Sequence, residues 1–124
     1  MTNVVKTNNA PGAIGPYSQG IDTGNIVFFS GQIALDPKTG EMAEGIEAQT
    51  RRVLENIKGL LESQNLTFAN VVKTTCFLAD INDFVTMNNI YAEYFVEPYP
   101  ARSAVGVAAL PKGALVEIEV IAVK

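Results

Sequence analysis

The C-terminal segment VEIEVIAV (116–123) restricts the possible folds more than any other stretch, because apolar residues recur in it with a period close to two. Successive residues of a β-strand point to opposite faces of a sheet, so this strand has one apolar face and one face that carries Glu117 and Glu119. The apolar face needs a layer of other elements packed against it. The alternation therefore predicts a sheet that is covered on one side.

Two segments have the spacing of helices that could form this layer. Residues 46–64 repeat apolar side chains three and four positions apart and predict an amphipathic helix, with Asn65 as its C-terminal stop. A second helix is expected after a cap between residues 80 and 83, and it should end before Pro98. One side of this helix carries Phe84, Met87, Asn88, Tyr91 and Phe95.

The remaining periodic segments predict strands, and the region between the first two reads as a loop. The predicted strands are residues 2–6, 26–35 with a break at Ser30-Gly31, 71–79, 101–109 and 115–123. Residues 8–25 are rich in Gly, Pro and Asn and predict an ordered loop. The order β-β-α-β-α-β-β predicts one domain, residues 1–124, of the α+β class: a two-layer sandwich with two helices on one face of a mixed sheet.

We interpret the last two strands as a hairpin joined by the turn LPKG. Alternation then places Arg102 on the same face as Glu117 and Glu119. A turn centred near Lys112 puts Arg102 opposite Ala122. Ala122 is about five residues from Glu117 along the last strand, so Arg102 and Glu117 would be roughly 17 Å apart. If Arg102 and Glu117 share a pocket, a neighbouring copy of the chain could be needed to bring them together.

Composition excludes several classes of function. The chain has 124 residues, a net charge of −4, no histidine and one cysteine, Cys76. An acidic chain without a basic cluster is a poor candidate for binding nucleic acid. The lack of histidine argues against a metal site. It also leaves any proton transfer to Glu, Asp, Tyr or Lys. No apolar run approaches the about 20 residues that span a bilayer, no signal-peptide pattern is present, and one cysteine suits the cytoplasm.

Three motifs resemble the RidA family, also called the YjgF-type proteins: APGAIGPYSQG (10–20), SGQI (30–33) and YPARSAVGVAALPKGALVEIE (99–119). The resemblance covers nearly the whole chain. It implies a chorismate-mutase-like fold in which three subunits pack their sheets into a central barrel, with ligand clefts between subunits. It also implies hydrolysis of reactive 2-imino or enamine acids to 2-oxo acids and ammonia, without a cofactor.

The resemblance assigns site residues one position at a time. Arg102 matches the arginine that binds the substrate carboxylate, and Glu117 matches the glutamate near the reacting water. The positions implied to bind substrate are Tyr17, Ser30, Gly31, Asn88, Arg102 and Ala104. Many deaminases of the family have Arg-Ser-Cys where this chain has Arg-Ser-Ala, so the thiol is replaced by a smaller group.

Each assignment has a structural alternative. Arg102 could form an ion pair with a glutamate, Glu117 could only hold that arginine, and Asn88 could bond to backbone. Tyr17 could be a hydrophobic plug, and Glu119 competes with Glu117 for the water. At the level of function, the alternative is a small-molecule-binding or regulatory protein that keeps the pocket without turnover.

Overall fold

The computed structural model describes residues 2–124. Six strands and two α-helices follow one another in the order β-β-β-α-β-α-β-β. The strands are β1 (Asn3–Val5), β2 (Gly20–Asp22), β3 (Ile26–Phe29), β4 (Val71–Leu78), β5 (Ala101–Gly106) and β6 (Val116–Val123), and the helices are α1 (Ile46–Ser63) and α2 (Phe84–Tyr91). Within residues 2–124, no helix has the length and apolar character needed to cross a membrane.

The six strands form one mixed sheet in the order β1-β2-β3-β6-β4-β5. Neighbouring strands are antiparallel except β4 and β5, which are parallel. The core lies between the sheet and the two helices, and β6 contributes its alternate residues, Val116, Ile118, Val120 and Ala122, all buried. The predicted α+β class, with two helices on a mixed sheet, is confirmed.

Helix α1 occupies the predicted segment to within one residue. Asn65 has a φ of 59°, the left-handed conformation in which a helix commonly ends. The predicted break at Ser30-Gly31 is also present, because β3 ends at Phe29 and Gln32 rejoins the sheet in an isolated bridge to Ile118. Ser30 and Gly31 therefore belong to no strand of the sheet.

Two element predictions are wrong. Strand β2 lies within residues 8–25, which were expected to be a loop. Three residues are too few to show an alternation, and β2 owes its extended form to pairing with β1 and β3. Helix α2 ends at Tyr91, although the apolar spacing continues to the buried Phe95 through a series of turns.

The predicted C-terminal hairpin is also wrong. Strand β5 pairs in parallel with β4, with Arg102 opposite Thr74, whereas β6 pairs with the other edge of β4, with Glu117 opposite Phe77. Strand β4 therefore separates the two strands that we expected to be partners. Parallel neighbours need a crossover, which α2 supplies between β4 and β5. The turn residues of LPKG indicate that the chain reverses but not which strand receives it.

The predicted face of Arg102 is wrong for the same reason. Directly opposed residues share a face of the sheet, so Arg102 lies with the buried Thr74 on the face that the helices cover. Glu117 lies on the opposite, open face. Gly106, opposite the buried Leu78, lies on the same covered face as Arg102: a Cβ added to it would be 3.2 Å from the Cβ of Ile81.

Candidate active site

Arg102 lies at the edge of the sheet, in a cavity between the edge strand β5 and helix α2. The cavity has a volume of about 480 Å³. It is lined by Asn88, Tyr91, Ala92, Tyr99, Pro100 and Arg102. The lining residues come from α2, from the segment that connects it to β5, and from β5 itself.

The guanidinium of Arg102 is held by an amide and two aromatic rings. Its Nη1 donates a 2.7 Å hydrogen bond to Oδ1 of Asn88. Its Cζ lies 4.8 Å from the ring centroid of Tyr91 and 5.4 Å from that of Phe84. Among residues 2–124, no carboxylate oxygen lies within 4 Å of this guanidinium. The ion pair that was one alternative for Arg102 is therefore absent from this part of the chain, and most of the fork can receive a ligand.

Glu117 lines a second cavity, of about 490 Å³, on the other side of the sheet. Its walls come from the Pro/Gly-rich loop before β2, from the break after β3 and from the LPKG turn. Tyr17, Ser30, Gly31 and Lys112 lie in these walls together with Glu117. The structure thus brings four of the predicted site residues into one cavity.

Gly31 gives Glu117 the space it occupies. A Cβ built on Gly31 would overlap Oε2 of Glu117, so the carboxylate lies directly against the glycine backbone. Partial burial, with a smaller contribution from the like charge of Glu119, raises the pKa of Glu117 above its ordinary value. A carboxylate with a raised pKa exchanges protons closer to neutral pH and can serve as a general base.

The loop that carries Tyr17 is organised by a residue that the sequence interpretation missed. Gln19 is buried, donates through Nε2 to the carbonyls of Thr7, Ala10 and Pro11, and accepts from the backbone N–H of Thr7. The neighbouring Ser30 donates its hydroxyl to the carbonyl of Ser18. Gln19 therefore fixes the loop that forms one wall of the Glu117 cavity.

Two buried amides on α1 bind backbone groups in or next to the segments that line this cavity, and they were missed as well. Asn56 donates to the carbonyls of Ile33 and Leu35, which follow the break in the sheet. Gln49 accepts from the backbone N–H of Leu115 just before β6. The sequence offered one signal for them, because both amides lie on the apolar side of the predicted helix. A buried amide needs hydrogen-bond partners, so such a position indicates a bond to another segment of the chain.

The predicted site residues thus fall into two groups within one chain. Arg102 and Asn88 share the edge cavity, whereas Tyr17, Ser30, Gly31 and Glu117 share the open-face cavity. Ala104 belongs to neither lining set: it packs against the core, opposite Cys76 of β4. One chain therefore does not place its own Arg102 beside its own Glu117.

Comparison with known proteins gives matches that extend along the whole chain. A family profile described as Endoribonuclease L-PSP matches residues 7–124. A 2-iminobutanoate/2-iminopropanoate deaminase from Salmonella typhimurium is 51% identical over 127 residues, which cover 100% of this chain and 99% of that protein.

Solved structures show the same fold at similar identity. YyfA of Yersinia pestis, described as a member of the conserved Rid protein family, is 52% identical, covers 100% of both chains and has a TM-score of 0.97. Escherichia coli TdcF, solved with bound serine, is 46% identical, covers 98% of both chains and has a TM-score of 0.94. The chain therefore belongs to the Endoribonuclease L-PSP family, which is the RidA, or YjgF-type, family that its motifs resemble.

Proposed function

We propose that this protein is a cytoplasmic hydrolase that converts reactive 2-imino acids, and the enamines in equilibrium with them, to 2-oxo acids and ammonia. The observation that carries the proposal is the guanidinium of Arg102, which faces a cavity without a carboxylate partner among residues 2–124. The names of relatives at about 50% identity support the same reaction.

Arg102 binds the substrate carboxylate. A guanidinium grips a carboxylate through two parallel N–H···O bonds, which fix both the position and the plane of the bound acid. The serine bound to TdcF is an α-amino acid with the same carboxylate group. With the carboxylate held, the adjacent C=N bond has one orientation relative to the groups around it, and such orientation can supply a large part of a catalytic effect.

Glu117 transfers protons during hydrolysis of the C=N bond. A water adds through its oxygen to the C=N carbon, Glu117 takes the proton that the water loses, and the nitrogen gains a proton. Glu117 then relays the hydroxyl proton of the resulting carbinolamine to the nitrogen, the C–N bond breaks, and ammonia leaves as the C=O of the 2-oxo acid forms. The raised pKa of Glu117 suits both taking and returning the proton. Ser30 and Tyr17 line the same cavity and contact substrate or water there.

Two copies of the chain complete each site, within a homotrimer whose sheets form a central barrel. The open face of the sheet exposes large apolar side chains, including Phe28 at 45% and Val105 at 43% exposure. An apolar sheet face of this kind is a typical protein interface. Strand β5 is also an edge of the sheet, so a neighbouring copy that contributes its Glu117 cavity can close the Arg102 cavity.

Two other functions are less well supported. The family description names an endoribonuclease, but this chain has a net charge of −4 and nine basic residues against thirteen acidic ones, which does not favour binding to phosphates. A ligand-binding protein without turnover would keep the Arg102 cavity, but the relatives named as deaminases favour turnover.

A coupled assay tests the proposal. A pyridoxal-phosphate enzyme releases 2-aminoacrylate from serine, and the wild-type chain is expected to accelerate its conversion to pyruvate and ammonia. Arg102→Ala should abolish the acceleration without changing the oligomeric state. Arg51→Ala is the matched control, because Arg51 pairs with Glu93 on the exposed surface. Saturable binding of 2-oxobutyrate without acceleration would instead identify a binding protein.

A further inference from the structure

Tyr91 joins the core of the protein to the cavity at the sheet edge. The residue is only 6% exposed. Its hydroxyl shares a 2.8 Å hydrogen bond with Oγ1 of Thr74, and both groups are buried. Thr74 is the β4 residue directly opposite Arg102, so this bond ties the end of the Tyr91 ring to the strand position beside the arginine.

The face of the Tyr91 ring is turned to the guanidinium. The distance from Cζ of Arg102 to the ring centroid is 4.8 Å, and Phe84 offers a second ring at 5.4 Å. Both distances lie within the range in which the negative face of an aromatic ring attracts a cation. Burial raises the pKa of the Tyr91 hydroxyl, so the ring stays neutral beside the arginine.

This mode of support leaves the positive charge available. A carboxylate partner would hold Arg102 more strongly, but it would occupy the N–H groups and the charge that a ligand carboxylate needs. Aromatic rings attract the cation through its face and leave its edge donors free. Asn88 uses one donor from Nη1 and carries no charge, so it does not neutralise the fork either.

We propose that Tyr91, fixed by Thr74, is a positioning residue that holds the guanidinium of Arg102 in the orientation that receives a carboxylate. The inference rests on the proposed function, because it assigns Tyr91 a role through Arg102 in carboxylate binding. The competing explanation is that Tyr91 only packs the core, since its ring also stacks on Phe95 with centroids 4.3 Å apart. The two explanations differ in what happens to ligand affinity when the protein stays folded.

The experiment compares variants that remove the ring or only its anchor. Tyr91→Leu removes the ring face, and Tyr91→Phe keeps the ring but releases it from Thr74. The double variant Thr74→Val/Tyr91→Phe removes both partners of the hydroxyl bond and leaves no buried polar atom unpaired. Tyr94→Leu is the matched control. Tyr94 is an aromatic residue that follows α2 in the chain, but its hydroxyl donates to Glu55 and its ring packs on Phe68.

Three properties are measured for each variant: the dissociation constant of 2-oxobutyrate, the kinetic constants for 2-aminoacrylate, and the NMR signal of the Arg102 side chain. The dissociation constant of 2-oxobutyrate is expected to rise about tenfold in Tyr91→Leu and about threefold in Tyr91→Phe. The kcat for 2-aminoacrylate should fall much less than KM rises. In the ligand-free protein, the ring-current shift of the Nε–H proton signal of Arg102 should persist in Tyr91→Phe and decrease in Tyr91→Leu, in which only the Phe84 ring remains. Tyr94→Leu should leave all three measurements unchanged.

The outcomes separate this inference from the proposed function. An unchanged dissociation constant in a folded Tyr91→Leu variant, with a wild-type protein that binds 2-oxobutyrate, overturns the positioning role alone. A wild-type protein that neither binds 2-oxobutyrate nor accelerates hydrolysis overturns the proposed function first. If Tyr91→Leu does not fold, the dissociation constant is measured in Phe84→Leu instead. This variant removes the second aromatic ring from a half-buried position. An unchanged affinity in that variant also counts against the aromatic support.

Discussion

The two cavities of the chain differ in how they are built. The Arg102 cavity is formed by regular elements, an edge strand and a helix, and its charged group is held by side chains of that helix. The Glu117 cavity is formed largely by loops, which buried amides tie to the core. A guanidinium is a permanent cation, whereas partial burial raises the pKa of the Glu117 carboxyl above its ordinary value.

The difference matches two tasks. An anchor for a carboxylate needs a permanent charge in a fixed place, which a strand and a helix provide. A proton carrier needs a tunable pKa, which partial burial in a loop-lined cavity provides. Under the proposed function each half is incomplete in one chain, and a working site needs both.

The largest expected effect comes from mixing two inactive variants. Arg102→Ala and Glu117→Gln should each lose nearly all activity as separate proteins. When the two are unfolded together and refolded in equal amounts, sites that combine Arg102 of one chain with Glu117 of another should form. Random assembly gives about a quarter of wild-type activity. A mixture as inactive as its components would show that the two residues do not share a site between chains.

A methyl group on Gly31 should disable the second cavity. The added Cβ of Gly31→Ala overlaps the Glu117 carboxylate, so kcat is expected to fall about a hundredfold as the proton carrier is displaced. Gly12→Ala is the matched control: Gly12 lines the same cavity, but a Cβ there meets nothing within 4 Å. Equal activities of the two alanine variants, measured by steady-state kinetics, would count against this placement of Glu117.

Replacements of Asn88 should reveal whether the arginine must stay free of anions. Asn88→Ala removes one hydrogen bond and is expected to raise KM about fivefold. Asn88→Asp keeps the geometry but adds a carboxylate that pairs with Arg102, so KM should rise further than in Asn88→Ala. The opposite order would mean that Asn88 does more than orient the guanidinium.

The smallest expected effect is a shift in pH dependence. If Glu117 acts as a base, kcat/KM should fall as pH drops through its raised pKa, which lies above that of an ordinary glutamate. Glu119→Gln removes the like charge that contributes to this shift, so the acidic limb of the pH–rate profile should move to lower pH. Complete loss of activity in Glu119→Gln would instead make Glu119 the residue that activates the water.

The sequence patterns that predicted structure correctly arise from interactions between neighbouring residues. The 46–64 helix, the alternation in β6 and the Ser30-Gly31 break depend on residues close together in the chain, and all three are present. The buried amides Gln19, Gln49 and Asn56 escaped prediction because a polar residue within an apolar pattern does not name its partners. Those partners lie up to 66 residues away along the chain, as for Gln49 and Leu115.

The sequence by itself determined the α+β class, the helix and strand periodicities and, through its motifs, the family. Only the tertiary structure decided which strand β5 joins, and with it the face on which Arg102 lies. The physical reason is that alternation divides strand residues between two faces without saying which face the helices cover. That choice is made by the parallel pairing of β5 with β4, which sets Arg102 against the rings of α2 and leaves Glu117 on the far side of the sheet.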